Sequence, residues 1–151
     1  MSCEVTAGRR ETPGGVIYED EYWSLTHSVI PVQLAGFLIL QPKRHVEHVA
    51  ELTGQEAASI GPLMSASCAA LNKLLEPEKV YVCSFGSSVK HVHSYLMPRM
   101  TDAPPDIVGG NYLSAVFTGR WACRDDEAAD LARYVQVELA QNSDLPTFTK
   151  P

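Results

Sequence analysis

Ser87-Ser88-Val89-Lys90-His91-Val92-His93-Ser94-Tyr95-Leu96-Met97-Pro98-Arg99 follows Lys79-Val80-Tyr81-Val82-Cys83-Ser84-Phe85-Gly86, and this pair of segments decides the reading of the chain. Both are rich in β-branched and aromatic residues, and a Gly-Ser-Ser turn divides them, so they read as two extended strands. Side chains alternate across a strand, which predicts His91, His93 and Tyr95 on one face and Val92, Ser94 and Leu96 on the other. Two imidazoles and a phenol in a row are costly to bury without partners, which marks them as a site. Taken alone, His-x-His leaves several explanations open. It suits a surface pair with hydrogen-bonded rings, or a metal chelate completed by His27, His45 or His48.

Working outward, Val16 to Tyr18 reads as a short strand, Glu19-Asp20-Glu21 as a turn and Tyr22 to Val29 as the returning strand of a hairpin. Pro31 ends that strand or puts it at an edge. The apolar run Gly36 to Gln41 predicts a central strand covered on both sides. Thr53-Gly54-Gln55-Glu56 is a capping-box pattern. The helix it opens carries Ile60, Leu63, Met64, Ser67, Cys68, Leu71, Leu74 and Leu75 at helical spacing, with Met64, Cys68 and Leu71 as core residues. Pro62 should bend its first turns, and Pro77 should stop it near Glu76. Thr101 to Gly110 reads as an exposed loop, and Tyr112 to Trp121 is apolar enough to fold back on the domain. Asp125-Asp126-Glu127 opens a last helix with Ala128, Leu131, Tyr134, Val135 and Leu139 on its packed side, ending near Gln141. The expected fold class is α+β: an antiparallel sheet of about five strands, one long helix and a C-terminal helix. Residues 1–13 read as a flexible leader, 14–141 as a single domain and 142–151 as a flexible tail.

Composition bounds the function. The chain has 151 residues and a net charge of −6, which argues against partners that need a basic surface: nucleic-acid polymers and anionic membranes. Its longest mostly apolar run, Val29 to Leu40, is too short and too broken to span a bilayer. Nothing at the N-terminus resembles a secretory signal, so a soluble cytoplasmic protein is expected. The four cysteines, Cys3, Cys68, Cys83 and Cys123, lack paired spacing, and no disulfide framework is expected.

The stretch from Gly86 to Arg99 resembles the signature of the histidine-triad (HIT) family, in which three histidines alternate with apolar residues. Gly15-Val16-Ile17-Tyr18 through Trp23, and Gly36-Phe37-Leu38-Ile39-Leu40-Gln41-Pro42-Lys43-Arg44-His45-Val46, extend the likeness over about residues 14–100. Two positions depart from it: Tyr95 stands where the third histidine belongs, and Ser94 where an apolar residue belongs. The resemblance implies a hydrolase or nucleotidyl transferase acting at the α-phosphate of a nucleotide, dinucleoside polyphosphate or nucleotide conjugate. It makes His93 the nucleophile that forms a covalent nucleotidyl intermediate, with His91 fixing the site and Tyr95 standing where the third histidine contacts the phosphate and the departing group. Ser88, Ser87 and the backbone after Gly86 would bind phosphate oxygens. The ribose contact falls at Ser28 or Val29 in place of the usual acidic or amide residue, with His27 as the nearby substitute. The resemblance also implies a homodimer with a sheet continuing across the interface, and no cofactor or catalytic metal. The zinc-binding N-terminal Cys-x-x-Cys of some members is reduced here to Cys3 with Thr6, so no metal is expected. The alternative is a noncatalytic nucleotide-binding or sensing protein that kept the fold.

Overall fold

The fold is described from a computed structural model, for residues 11–29, 34–85 and 89–146. Strands β1 (Val16–Glu19), β2 (Trp23–His27), β3 (Leu38–Pro42), β4 (Lys79–Cys83) and β5 (Ser94–Arg99) form one antiparallel sheet in the order β1-β2-β3-β5-β4. Helix α1 (Gly54–Leu75) separates β3 from β4, while α2 (Gly110–Phe117) and α3 (Asp125–Ala140) follow β5. The α+β class, the hairpin and the central strand all stand as the sequence predicts. The β1–β2 turn closes on Asp20, whose Oδ1 accepts the backbone N–H groups of Tyr22 and Trp23 at 2.8 and 2.7 Å. Pro31 lies outside the described residues.

Alternation along the strands builds a core on each face of the sheet. Leu25, Leu38, Leu40 and Leu96 pack with Leu63 and Leu71 of α1 and with Ala132, Val135 and Leu139 of α3. On the other face Phe37, Met97, Tyr112 and Val116 form a second cluster, bordered by Tyr81, Cys83, Tyr95, Phe117 and Trp121. The segment from Tyr112 therefore does fold back, as α2. Its Tyr112 hydroxyl donates to the Pro98 carbonyl at 2.7 Å. Arg99, at the end of β5, is buried and donates to the carbonyls of Ala103, Pro104 and Ile107 in the loop before α2 while pairing with Glu78. That loop is more closely tied to the sheet than its Pro- and Asp-rich composition suggests.

The predicted capping box is present: Thr53 Oγ1 accepts from Glu56 N–H, and Glu56 Oε2 accepts from Thr53 N–H at 2.7 Å. Arg44 donates to the Glu56 carboxylate, and this bond with the Thr53 N–H holds its pKa down at about 2. Pro62 lies inside α1 without ending it. A proline there costs roughly 3 kcal/mol. Leu63 and Leu71, both fully buried, contribute about 1.5–3 kcal/mol each. Burial outweighs the lost hydrogen bond, and the helix runs on to Glu76, whose left-handed backbone (φ 47°) closes it. Leu71 is core as expected, whereas Met64 and Cys68 are only partly buried against it.

Three expectations change. His91 and His93 are not strand residues, because β5 begins at Ser94. Continuing the β3–β5 register would set Gln41 opposite His93 and Pro42 opposite Val92. Pro42 has no N–H to donate, and its carbonyl already accepts from the His91 ring at 2.9 Å. The ladder has nothing further to pair with, and Val92 N–H turns to the Val46 carbonyl at 2.7 Å. Tyr134 is 61% exposed, because the packed stripe of α3 passes through Ala128, Leu131, Ala132, Val135 and Leu139. Leu145, in the stretch expected to be a flexible tail, is buried in the α1-side core, and the Pro146 carbonyl lies 3.4 Å from the Tyr18 hydroxyl, which donates to Asp20 Oδ2 at 3.1 Å.

Gly36, just before β3 and against α1, has φ +79°, and a Cβ there would lie 2.8 Å from Leu75 and 3.0 Å from Leu71. Left-handed strain and overpacking act together at this position. Gly36→Ala is expected to lower unfolding free energy by about 2–4 kcal/mol, measured by urea denaturation. A loss below the scatter of surface substitutions would show that the turn relaxes around the methyl group.

Candidate active site

The site forms where β5 begins. His91 donates from Nε2–H to the Pro42 carbonyl and is 1% exposed, so its ring is fixed to the end of β3. Two residues on, His93 Nδ1 lies 2.7 Å from the His91 carbonyl oxygen. A carbonyl only accepts, so Nδ1 carries the proton and Nε2 carries the lone pair. The Tyr95 hydroxyl lies 3.0 Å from Nε2 and is the donor in that bond. Ser84, just past β4, donates from its hydroxyl to the His93 carbonyl at 2.6 Å. The backbone of His93 is thus pinned from the β4 side and its ring from the His91 side.

Tyr95 is the first of the three named residues inside a strand. It faces Cys83 across the β4–β5 ladder, and its ring meets Phe37 at 5.2 Å and Phe117 at 6.0 Å, both edge to face. These aromatic contacts hold the phenol so that its hydroxyl points back at His93. Burial, with a smaller contribution from Cys83, pushes the Tyr95 pKa up, and the hydroxyl stays a neutral donor. Burial lowers the pKa of His91; the Pro42 carbonyl opposes this, and the neighbouring His45 and His93 add to it.

The structure brings His91, His93 and Tyr95 together. Ser88, Ser87 and Gly86 lie outside the described residues. Ser28 is fully buried at the end of β2, its N–H donating to the Phe37 carbonyl at 2.8 Å. His27, the expected substitute for a ribose ligand, is engaged by the backbone. His27 is fully buried, Nδ1–H donates to the Ser28 carbonyl at 3.1 Å, and Nε2 accepts the Gly36 N–H at 3.1 Å. Both ring nitrogens are occupied by backbone, which makes this imidazole a strut for the turn into β3. Sequence reasoning missed Ser84 as a support of the His93 backbone. His45, weighed in the sequence only as a third metal ligand, is half exposed, and its ring stands edge-on to His91 at 5.3 Å. Among the described residues no three His, Cys, Asp or Glu side chains converge as metal ligands, and no helix is long and apolar enough to cross a membrane.

The last strand in chain order is preceded by His91 and His93, and its Tyr95 donates to the second of them, an arrangement similar to a histidine triad. The chain matches the HIT domain over residues 9–102, more than half its length, and belongs to that family. Solved structures share the fold. A hypothetical histidine triad nucleotide-binding protein of Sulfolobus tokodaii superposes with a TM-score of 0.71 at 17% identity, covering 97% of this chain and 98% of its own. A zinc-bound histidine triad family protein of Mycobacterium smegmatis gives 0.68 at 17% identity, with 91% and 93% covered. A HIT family member of Bacillus subtilis gives 0.58 at 23% identity, with 82% and 98% covered.

Two histidines held neutral by burial give the fold a defined acid response. The folded-state pKa values of His27 and His91 are lowered, so the unfolded chain binds more protons below about pH 6.5. Stability from these groups is complete above that pH and is lost as pH falls through their folded values. The slope is at most about 1.4 kcal/mol per pH unit for each group. Glu56, with its depressed pKa, acts in a separate window, losing its contribution as pH falls from about 4.5 towards 2. Urea unfolding between about pH 7 and pH 5 should show falling stability, with a shallower slope in His27→Gln. An unchanged slope in that variant would remove His27 from the account.

Proposed function

We propose that this chain binds a nucleotide at the mouth of β5 and transfers its nucleotidyl group through a covalent intermediate on His93, as a hydrolase or a nucleotidyl transferase. The observation that supports this most is the fixed tautomer of His93. With Nδ1–H committed to the His91 carbonyl, the nucleophilic lone pair sits on Nε2, beside the Tyr95 donor. Attack by Nε2 on the α-phosphorus forms an N–P bond as the bond to the leaving group breaks. Water or another acceptor then attacks the same phosphorus and releases neutral His93 with its proton still on Nδ1. Once a phosphate occupies the site, the Tyr95 hydroxyl is placed to follow the developing charge onto a phosphate oxygen. Ser87, Ser88 and the amides after Gly86 supply further donors in this reading, and Ser28 lies towards the sugar. The chain acts as a homodimer whose sheet continues across one edge, in the cytoplasm.

A second reading has its own observation. His93 is only 4% exposed and its Nε2 already accepts a hydrogen bond, as suits a protein that senses nucleotides without turning them over. Intact-protein mass spectrometry after brief mixing with nucleotides, dinucleoside polyphosphates and nucleotide conjugates separates the two. A nucleotidyl adduct is expected, abolished by His93→Ala. Measurable binding with neither adduct nor turnover would establish the sensing protein. Nitrogen-detected NMR of His93 in the free protein should show Nε2 as the unprotonated ring nitrogen; the opposite tautomer would remove the nucleophile's preparation.

A further inference from the structure

From the bond that closes His93, we infer that Tyr95 makes the nucleophile selective: in the free protein its hydroxyl covers Nε2 against small electrophiles, and a bound nucleotide phosphate draws it away. The inference rests on the reading of His93 as the nucleophile and concerns when that nitrogen is open. Nδ1 carries the ring proton and lies 2.7 Å from the His91 carbonyl oxygen, so the lone pair available for attack is on Nε2. The Tyr95 hydroxyl lies 3.0 Å from Nε2 and donates into that lone pair. An electrophile attacked along the same lone pair needs the place that the hydroxyl fills. His93 cannot turn Nε2 elsewhere without breaking the bond at Nδ1, and Ser84 holds its carbonyl at 2.6 Å. Tyr95 is held as well, against the edges of Phe37 and Phe117 and opposite Cys83 in the ladder. With both partners of the bond supported from behind, the closed arrangement is the resting one.

What opens the site is a better acceptor. A phosphate oxygen is anionic, and hydrogen bonds to ionised acceptors are roughly twice as strong as those between neutral groups. A nucleotide phosphate set against His93 offers the hydroxyl an oxyanion in exchange for a neutral nitrogen, and Tyr95 keeps its proton throughout. Diethyl pyrocarbonate, a small carbonyl electrophile, brings only neutral oxygens. It has to break the bond without offering a stronger one, at a histidine that is 4% exposed. The hydrogen bond lost in that step slows the reaction by about 2- to 10-fold.

The test compares the unsubstituted protein with Tyr95→Phe, which keeps the ring among its aromatic neighbours and removes only the hydroxyl. Both are treated with diethyl pyrocarbonate at about pH 8, where an ordinary imidazole is neutral. Nε2 bonds to the carbonyl carbon and expels ethyl carbonate, which takes up the proton released from Nδ1 and breaks down to carbon dioxide and ethanol. Peptide mass spectrometry follows His93, with half-exposed His45, which takes no part in the bond, as the internal reference. The rate at His93 is expected to rise by about 2- to 10-fold in Tyr95→Phe while the rate at His45 stays the same. Nucleotidyl adduct formation on His93, measured on the same two proteins with nucleotides, dinucleoside polyphosphates and nucleotide conjugates, is expected not to rise. A rate of carbethoxylation at His93 that Tyr95→Phe leaves unchanged or lowers would overturn the inference while the covalent reading stands. So would nucleotidyl transfer accelerated as much as carbethoxylation, since the hydroxyl would then obstruct every electrophile alike. No adduct from any nucleotide in either protein would instead remove the covalent reading, and the selective role of Tyr95 with it.

Discussion

The bond from His91 Nε2–H to the Pro42 carbonyl is the constraint on which the site depends. A central strand that ends in proline offers its neighbour no N–H, so the β3–β5 ladder stops there whatever follows. The imidazole takes the carbonyl that the ladder would have used, and Val92 finds Val46 instead. Freed from the ladder, the His91 carbonyl accepts from the ring of His93. Each such bond is worth about 1 kcal/mol net, but a buried polar group left unpaired costs about 1–3 kcal/mol. The avoidance of unpaired groups, more than any one attraction, selects this arrangement and with it the tautomer of His93.

The second core makes that arrangement rigid. Alternation along β5 sends Leu96 to the α1 side and Tyr95 and Met97 to the α2 side, so the last member of the triad position is also a packing residue. Phe37 links the two roles. Its preceding residue, Gly36, donates to the buried His27, and its ring meets Tyr95. A fixed backbone turn at the start of β3 is thereby connected through one aromatic edge to the hydroxyl on the nucleophile.

What was legible in the sequence was what is local or periodic. The capping box at Thr53 and Glu56, the stripe of α1 and the alternation of Tyr95 and Leu96 each follow from spacing within a few residues. The starting point of β5 did not follow, because it is decided by Pro42, about 50 positions upstream in the chain. Periodicity in His91–Tyr95 is real, but the partner that would have kept it in a ladder is missing. The role of His27 was hidden for a related reason: an imidazole on a strand advertises two nitrogens, and only the fold shows that Ser28 and Gly36 occupy both. For Tyr134, an aromatic near the apolar stripe of α3 was read as packed, yet the stripe is filled by Leu131, Ala132 and Val135.

The same reasoning explains why a phenol, and not only an imidazole, is at home at position 95. The position lies in the ladder, half buried, with Cys83 opposite and the edges of Phe37 and Phe117 against its ring. A charged group there would be desolvated with no carboxylate among these neighbours to offset it, whereas a neutral aromatic ring adds apolar contact. Tyrosine keeps one function of the position, donating a hydrogen bond into the site, and gives up the positive charge. The packing around it and the chemistry left to it are therefore matched. The aromatic cluster that stabilises the phenol also fixes the direction of its O–H, and that direction is towards the nucleophile.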